Sequence, residues 1–167
     1  MKRIFALLVM LSVLCGYAIS ANAVLIDRGG GMIYSTDLNV TWLQDANYAR
    51  TSGYDADGLM NWNEAMAWAG NLVYGGYDDW RLPTFDPSNP SVSDRSPIHE
   101  MGYLYHVELG NAGTLTNTGP FINVVTVVPD GGISDWYWTG TEGTAGGSGT
   151  SFDPNLTQAW RFSFDCG

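Results

Sequence analysis

Seven tryptophans and a single cysteine beyond residue 23 set the terms on which this chain can fold. Each indole hides a large apolar area and asks for only one hydrogen-bond partner. Trp42, Trp62, Trp68, Trp80, Trp136, Trp138 and Trp160 therefore cannot all lie at the surface, and most are expected in the core. Cys166 has no partner once Cys15 is removed, so packing must do what a disulfide framework does in many small exported domains.

Removal of Cys15 follows from the N-terminus. Lys2 and Arg3 precede an apolar run over residues 4–19, and Ala21-Asn22-Ala23 supplies the small residues of a cleavage site. The run is too short and too early for a stable membrane span. Leu14 before Cys15 does not fit a lipoprotein signal. Residues 1–23 are thus expected to be a signal peptide, with Val24 as the mature start and no span in the mature form. Residues 24–167 suffice for one domain with a core. Secretion, or a cell-surface or periplasmic location, is the corresponding expectation.

Loss of Lys2 and Arg3 moves the formal charge from -10 to -12, leaving five arginines and no lysine. No basic cluster is present to displace phosphate counterions, which excludes a nucleic-acid partner. Anionic lipid surfaces and sulfated glycans are disfavoured on the same ground.

Local patterns give two helices. Asn61-Trp62-Asn63-Glu64 reads as a capping box. Trp62, Ala65, Met66, Ala69, Leu72 and Val73 follow at helical spacing, until Gly75 or Gly76 ends the run. The second helix is expected from Ser96-Pro97, with Ile98, Met101, Leu104, Tyr105 and Leu109 as its apolar face and Gly110 as its stop. Strands are expected over 32–34, 40–43, 121–128, 136–139 and 159–164, where short runs are β-branched or aromatic. Strands at both ends with helices between them indicate an α+β domain, not a βαβ alternation. The glycines at 29–31 and 143–149 read as turns, without the Lys-Ser/Thr of a phosphate loop.

Catalytic constellations are thin. His99 and His106 share a predicted helix, but two imidazoles need further ligands to hold a metal, and one surface and one semi-buried histidine is the plainer reading. Ser148 lacks the G-x-S-x-G pattern because Thr150 stands where the final glycine is required, and no strand precedes it. Asp78, Asp79, Asp86, Asp94, Asp130, Asp135 and Asp153 could supply a glycosidase pair or hold calcium, but nothing singles out two of them. Solvated turn residues are the preferred reading. The aromatics are more suggestive. In Trp136-Tyr137-Trp138 a strand would point Tyr137 opposite to the two tryptophans; the core is the plainer place for both tryptophans, and a face left open to stack on a ligand is the alternative. Asp130, Asp135 and Glu142 are the acids that accompany it.

One block remains, Asp78-Asp79-Trp80-Arg81-Leu82-Pro83-Thr84. It follows the stretch MNWNEAMAWAGNLVYGGY, and it joins LIDRGGGMIYSTDLNVTWLQDANYA, HEMGYLYHVELG, NTGPFINV, YWTGTE and AWRFSFD in an order that resembles the Lcl C-terminal domain family. This is an exported bacterial domain named from a collagen-like adhesin, and the resemblance covers nearly all of residues 24–167. It implies a C-type-lectin-like fold, distantly similar to formylglycine-generating enzyme and sulfatase-modifying domains. In such a fold the block is a structural joint, made by Asp79, Trp80, Arg81, Pro83 and Thr84. Arg81 would be buried or half-buried, satisfied by Asp79 and backbone carbonyls. Leu82 would enter the core, Pro83 would set the chain direction, and Thr84 would cap or turn the next segment. Relatives continue past the last strand seen here, so a domain lacking that strand is one expectation.

The catalytic equipment of the related enzymes cannot be carried over. A copper-binding cysteine pair needs two cysteines, an iron site needs three histidines, and the lectin calcium motifs Glu-Pro-Asn and Trp-Asn-Asp do not occur. The expected function is a secreted, non-enzymatic module that binds an extracellular glycan or surface protein, with no cofactor or with calcium. The alternatives are a diverged sulfatase-modifying-type enzyme and a structural component of a surface or matrix assembly.

Overall fold

The computed structural model describes residues 24–88, 96–126, 136–143, 150–151 and 159–164. The chain enters as an antiparallel meander of β1 (Leu25–Asp27), β2 (Met32–Ser35) and β3 (Val40–Leu43), in the order β1-β2-β3. Gly29, Gly30 and Gly31 form the first turn, all with positive φ. At Gly31 a Cβ would also overlap the Tyr74 hydroxyl, so glycine is required twice over. On β2 the alternation buries Ile33 and Ser35 on one face.

Between the sheets lie the helices α1 (Tyr48–Thr51), α2 (Trp62–Asn71) and α3 (Glu100–Tyr103), the last running into a π-helical turn at Leu104–Glu108. The second sheet is antiparallel, with β6 (Ala159–Ser163) between β4 (Trp136–Glu142) and β5 (Thr150–Ser151). The protein is therefore α+β with small antiparallel sheets, as the order of predicted elements implies. Among the described residues no helix is long and apolar enough to cross a membrane.

The core forms where the two sheets meet the α3 turn. Ile33 from β2 packs with Met101, Leu104, Tyr105, Leu109, Phe121 and Phe164. Tyr105 is its centre, with no exposed surface, edge-on contacts to Phe162 and Phe164, and a hydroxyl that donates to the Gly113 carbonyl. Beyond it, Asn111 organises the loop over 109–119. Its Oδ1 accepts from Thr116 N, Thr116 Oγ1 and Asn117 N, and its Nδ2 donates to the Asn117 carbonyl.

Several sequence expectations need correction. No tryptophan is fully buried; all seven are half-buried, because a bicyclic ring of that size seldom fits wholly inside a small domain. The α2 capping box is present as expected, with Asn61 Oδ1 accepting from Glu64 N and Glu64 Oε2 from Asn61 N. The helix nevertheless stops at Asn71. Leu72 is extended and Val73 is 72% exposed, because the chain must reverse through Gly75-Gly76, and Met66 within the helix is 38% exposed. The second helix starts at Glu100, not at Ser96-Pro97, which make a preceding turn closed by His99 N donating to Ser96 O. Ile98 consequently lies outside the apolar face. Over 121–126 there is no strand: Asn123 takes φ 55, and Ile122 makes only an isolated bridge to Asp45. Neither histidine is on the surface: His106 is half-buried, and His99 is 2% exposed, stacked on Phe85, which stacks in turn on Trp160.

Candidate binding cleft

Leaving α2, the chain reverses at Gly75-Gly76, where Tyr74 and Tyr77 exchange backbone hydrogen bonds. Tyr74 then sits edge-on between Tyr48 and Trp80, and the Trp80 indole donates to the Tyr74 carbonyl. This places the block 78–84 across the open side of β4. Gly140 N donates to Pro83 O at 2.8 Å, and Thr141 bonds both backbone groups of Phe85. A register shift between Trp138 and Glu142 marks the stretch of β4 that turns toward this block.

Arg81 is the clamp, but its partner is Glu100 of α3 and not Asp79. Its Nη1 and Nη2 donate to the two Glu100 oxygens at 2.8 and 2.7 Å, the two-pronged geometry that suits guanidinium. Thr84 N donates to Glu100 as well, at 2.7 Å, and Thr84 O accepts from Glu100 N. These two bonds fasten Thr84 to the start of α3. Asp79 is exposed and makes no hydrogen bond among the described residues. Proximity in sequence does not bring its carboxylate to the fork, whereas a buried helix terminus does. Leu82 is half-buried, not a core residue. Burial pushes the Glu100 carboxyl up, but hydrogen bonds from Arg81 and Thr84 outweigh it and hold the group below the usual carboxylate range. The Arg81 guanidinium is raised by the same bond, against its own desolvation.

Trp136, Tyr137 and Trp138 divide as strand alternation requires. Tyr137 lies opposite Phe162, packs edge-on against Phe164 and accepts from Val125 N. Trp138 lies opposite Arg161, whose guanidinium sits 3.8 Å over the Trp136 ring. The Trp138 indole donates to Met60 O, tying β4 to the start of α2. Glu142 is exposed at the end of β4. Asp130 and Asp135 lie outside the described residues.

The block and the aromatic strand face one cleft of about 1530 Å³. Asp79, Trp80, Arg81 and Pro83 line one side, with Trp136, Trp138 and Arg161 among the β-sheet residues and Trp42 and Trp68 completing the aromatic lining. Met101, Leu104, Leu109, Phe121 and Phe164 give it an apolar floor continuous with the core. Five of the seven tryptophans therefore line this space. Its charges balance: Arg28, Arg50, Arg81 and Arg161 against Asp45, Asp57, Asp79 and Glu100, on a chain of net charge -10.

Most acids near the cleft serve the backbone. Asp45 accepts from Asn47 N and Thr51 Oγ1, and Asp57 from Leu59 N. Asp55 accepts from Gly58 N and Asp57 N, bonds that lower its carboxyl. Among the described residues, no group of three or more His, Cys, Asp or Glu is placed to hold a metal ion. His99 and His106 do not line the cleft. His106 Nδ1 lies against Asn111 O, whereas His99 Nδ1 meets Asp86 N.

Sequence reasoning missed Glu100, Trp42, Trp68 and Arg161 as cleft residues. Glu100 carried a signal, a charge beside Met101 on a face that must be buried, which demands a cationic partner. Arg161 carried another, as the one charge in an otherwise aromatic strand pairing with Trp138. No family model, curated protein or solved structure matches this chain.

Proposed function

We propose that this is an exported, non-catalytic binding module of the Lcl C-terminal domain type, C-type-lectin-like in fold, that takes an extracellular glycan in the cleft between the block 78–84 and β4. The observation that carries the reading is the gathering of five tryptophans around one charge-balanced cleft. Indole faces stack on the apolar sides of sugar rings, while arginines and carboxylates bond hydroxyls. A balanced lining favours an uncharged ligand over a polyanion. At about 1530 Å³ the space exceeds the roughly 300–1,000 Å³ typical of small-molecule pockets, so an oligosaccharide suits it better than a single sugar.

Binding through few contacts should lie in roughly the micromolar-to-millimolar range and should tolerate moderate salt. A glycan array with the purified protein, run with calcium and with chelator, gives the ligand. Trp68→Ala, whose indole makes no hydrogen bond among the described residues, should then weaken binding about tenfold, the equivalent of about 1.4 kcal/mol. Binding that is indifferent to Trp68 and Trp136 substitutions in a folded protein would place the ligand elsewhere. Export is checked separately: N-terminal mass spectrometry of the recovered protein should read Val24, and an intact Met1 form in the cytoplasm would refute it.

A further inference from the structure

The turn between β2 and β3 presents an asparagine that the packing does not need. Asn39 is exposed and holds φ 54, the left-handed conformation that asparagine tolerates in tight turns. Its Oδ1 accepts from the Tyr34 hydroxyl at 2.9 Å, which fixes the carboxamide and leaves Nδ2 without a partner among the described residues. Asn39-Val40-Thr41 is an N-x-T acceptor tripeptide. Thr41 is only lightly engaged, its hydroxyl accepting from Arg28 at 3.4 Å.

Two further facts set this tripeptide apart from a chance occurrence. The chain holds one other such tripeptide, Asn155-Leu156-Thr157, and an aspartate stands two positions before each asparagine, at Asp37 and Asp153. Asp37 is exposed, and the Tyr103 and Thr36 hydroxyls donate to its carboxylate. A fixed carboxylate two residues upstream is a handle that a modifying enzyme can engage with an arginine.

We propose that Asn39 is an N-glycosylation site, modified after export by an oligosaccharyltransferase that reads Asp37, Asn39 and Thr41. The donor is an oligosaccharide carried on a lipid diphosphate. In the transfer, Asn39 Nδ2 forms a bond to the anomeric carbon of the donor sugar and gives up one proton to base. The bond from that carbon to the diphosphate oxygen breaks, and its electron pair leaves with the lipid diphosphate. No oxidant or reductant is needed. Asn39 and Thr41 also stand on the cleft lining, so the attached glycan would rise beside the cleft mouth. The proposal rests on export and not on the identity of the cleft's ligand.

The test is expression of the full chain, leader included, in a bacterial host that carries a bacterial-type oligosaccharyltransferase and its lipid-linked oligosaccharide. Intact mass and peptide mapping should show one glycan mass on the peptide containing Asn39. Thr41→Val, which keeps Asn39 and the strand shape, should lose that mass, and so should Asp37→Asn. An unmodified Asn39 in folded, exported protein would overturn the proposal if a reference exported acceptor is modified in the same cells. Modification that persists in both Thr41→Val and Asp37→Asn would overturn the assigned recognition.

Discussion

Glu100 is the residue whose removal tests the account of the block 78–84 most sharply. Its carboxylate accepts three N–H groups, two from Arg81 and one from Thr84, and is 10% exposed where the Arg81 side chain is 51% exposed. In Glu100→Ala the three donors do not fare alike. The half-exposed guanidinium can turn to water, so its loss counts as roughly 0.5–1 kcal/mol, like a surface pair. Thr84 N is held against the protein, and its lost charge-assisted bond costs roughly 1–2 kcal/mol. The sum is about 2 kcal/mol, or roughly 6 °C in melting temperature for a domain of this size. Glu100→Gln keeps one acceptor oxygen and should lose about half of that. Arg81→Lys should fall in the same range, because one ammonium cannot satisfy both oxygens.

Urea titration followed by tryptophan fluorescence gives these values. The double variant Arg81→Ala/Glu100→Ala should show a coupling of roughly 1 kcal/mol. The pH dependence has a fixed sign. Glu100 is lowered from its ordinary 4.5, so its stabilisation is fully present above 4.5 and is lost as pH falls through the folded value. If Glu100→Ala and Glu100→Gln both stay within about 0.5 kcal/mol of the parent, the clamp contributes nothing and the reasoning fails.

Two other sites give predictions of different kinds. Asn111, 1% exposed and fully engaged on both amide atoms, should cost about 3 kcal/mol on change to alanine, because four loop groups lose a buried partner; a loss under about 1 kcal/mol by urea titration would refute its role as hub. Glu108 is raised, chiefly by burial and further by Asp37, although the Ser35 hydroxyl at 2.5 Å opposes this. Its stabilisation is therefore present below its ordinary 4.5 and is lost as pH rises through the raised folded value. Glu108→Gln should be neutral or stabilising at neutral pH, and a urea midpoint there that drops by the equivalent of more than about 1 kcal/mol would contradict the burial argument.

How much of this was legible depended on the range of the interaction concerned. The α2 cap was readable because Asn61 and Glu64 recognise each other within one turn. The β3 limits and the sidedness of Trp136, Tyr137 and Trp138 were readable because strand alternation is a property of consecutive residues. The Arg81 partner was not, since Asp79 and Glu100 are equally good acceptors and only the packing of α3 chooses between them. The strand expected over 121–128 is absent over 121–126, because the β-branched run does not reveal that Asn123 adopts φ 55 and breaks extension. The tryptophans failed as core markers for a related reason. Ring size calls for burial, but whether a ring ends inside or along a cleft wall depends on elements distant in sequence.

The separation of structural joint from binding surface does not survive in three dimensions. Arg81 fastens the block to α3 through Glu100, and the same block lines the cleft through Asp79, Trp80 and Pro83. A loosened clamp should therefore weaken ligand binding even where it touches no ligand, because the cleft wall it holds would lose its fixed geometry. Trp68 stands on α2, outside this clamp, so its loss should weaken binding with little change in the contribution of Glu100. The two routes separate in a cycle that combines Trp68→Ala with Glu100→Ala. If the clamp acts only by positioning the wall, part of the Glu100→Ala binding defect should recover at lower temperature, where the wall reorders. The Trp68→Ala defect, which removes a contact outright, should persist. Equal recovery of both would mean that Trp68 acts through the fold and not on the ligand.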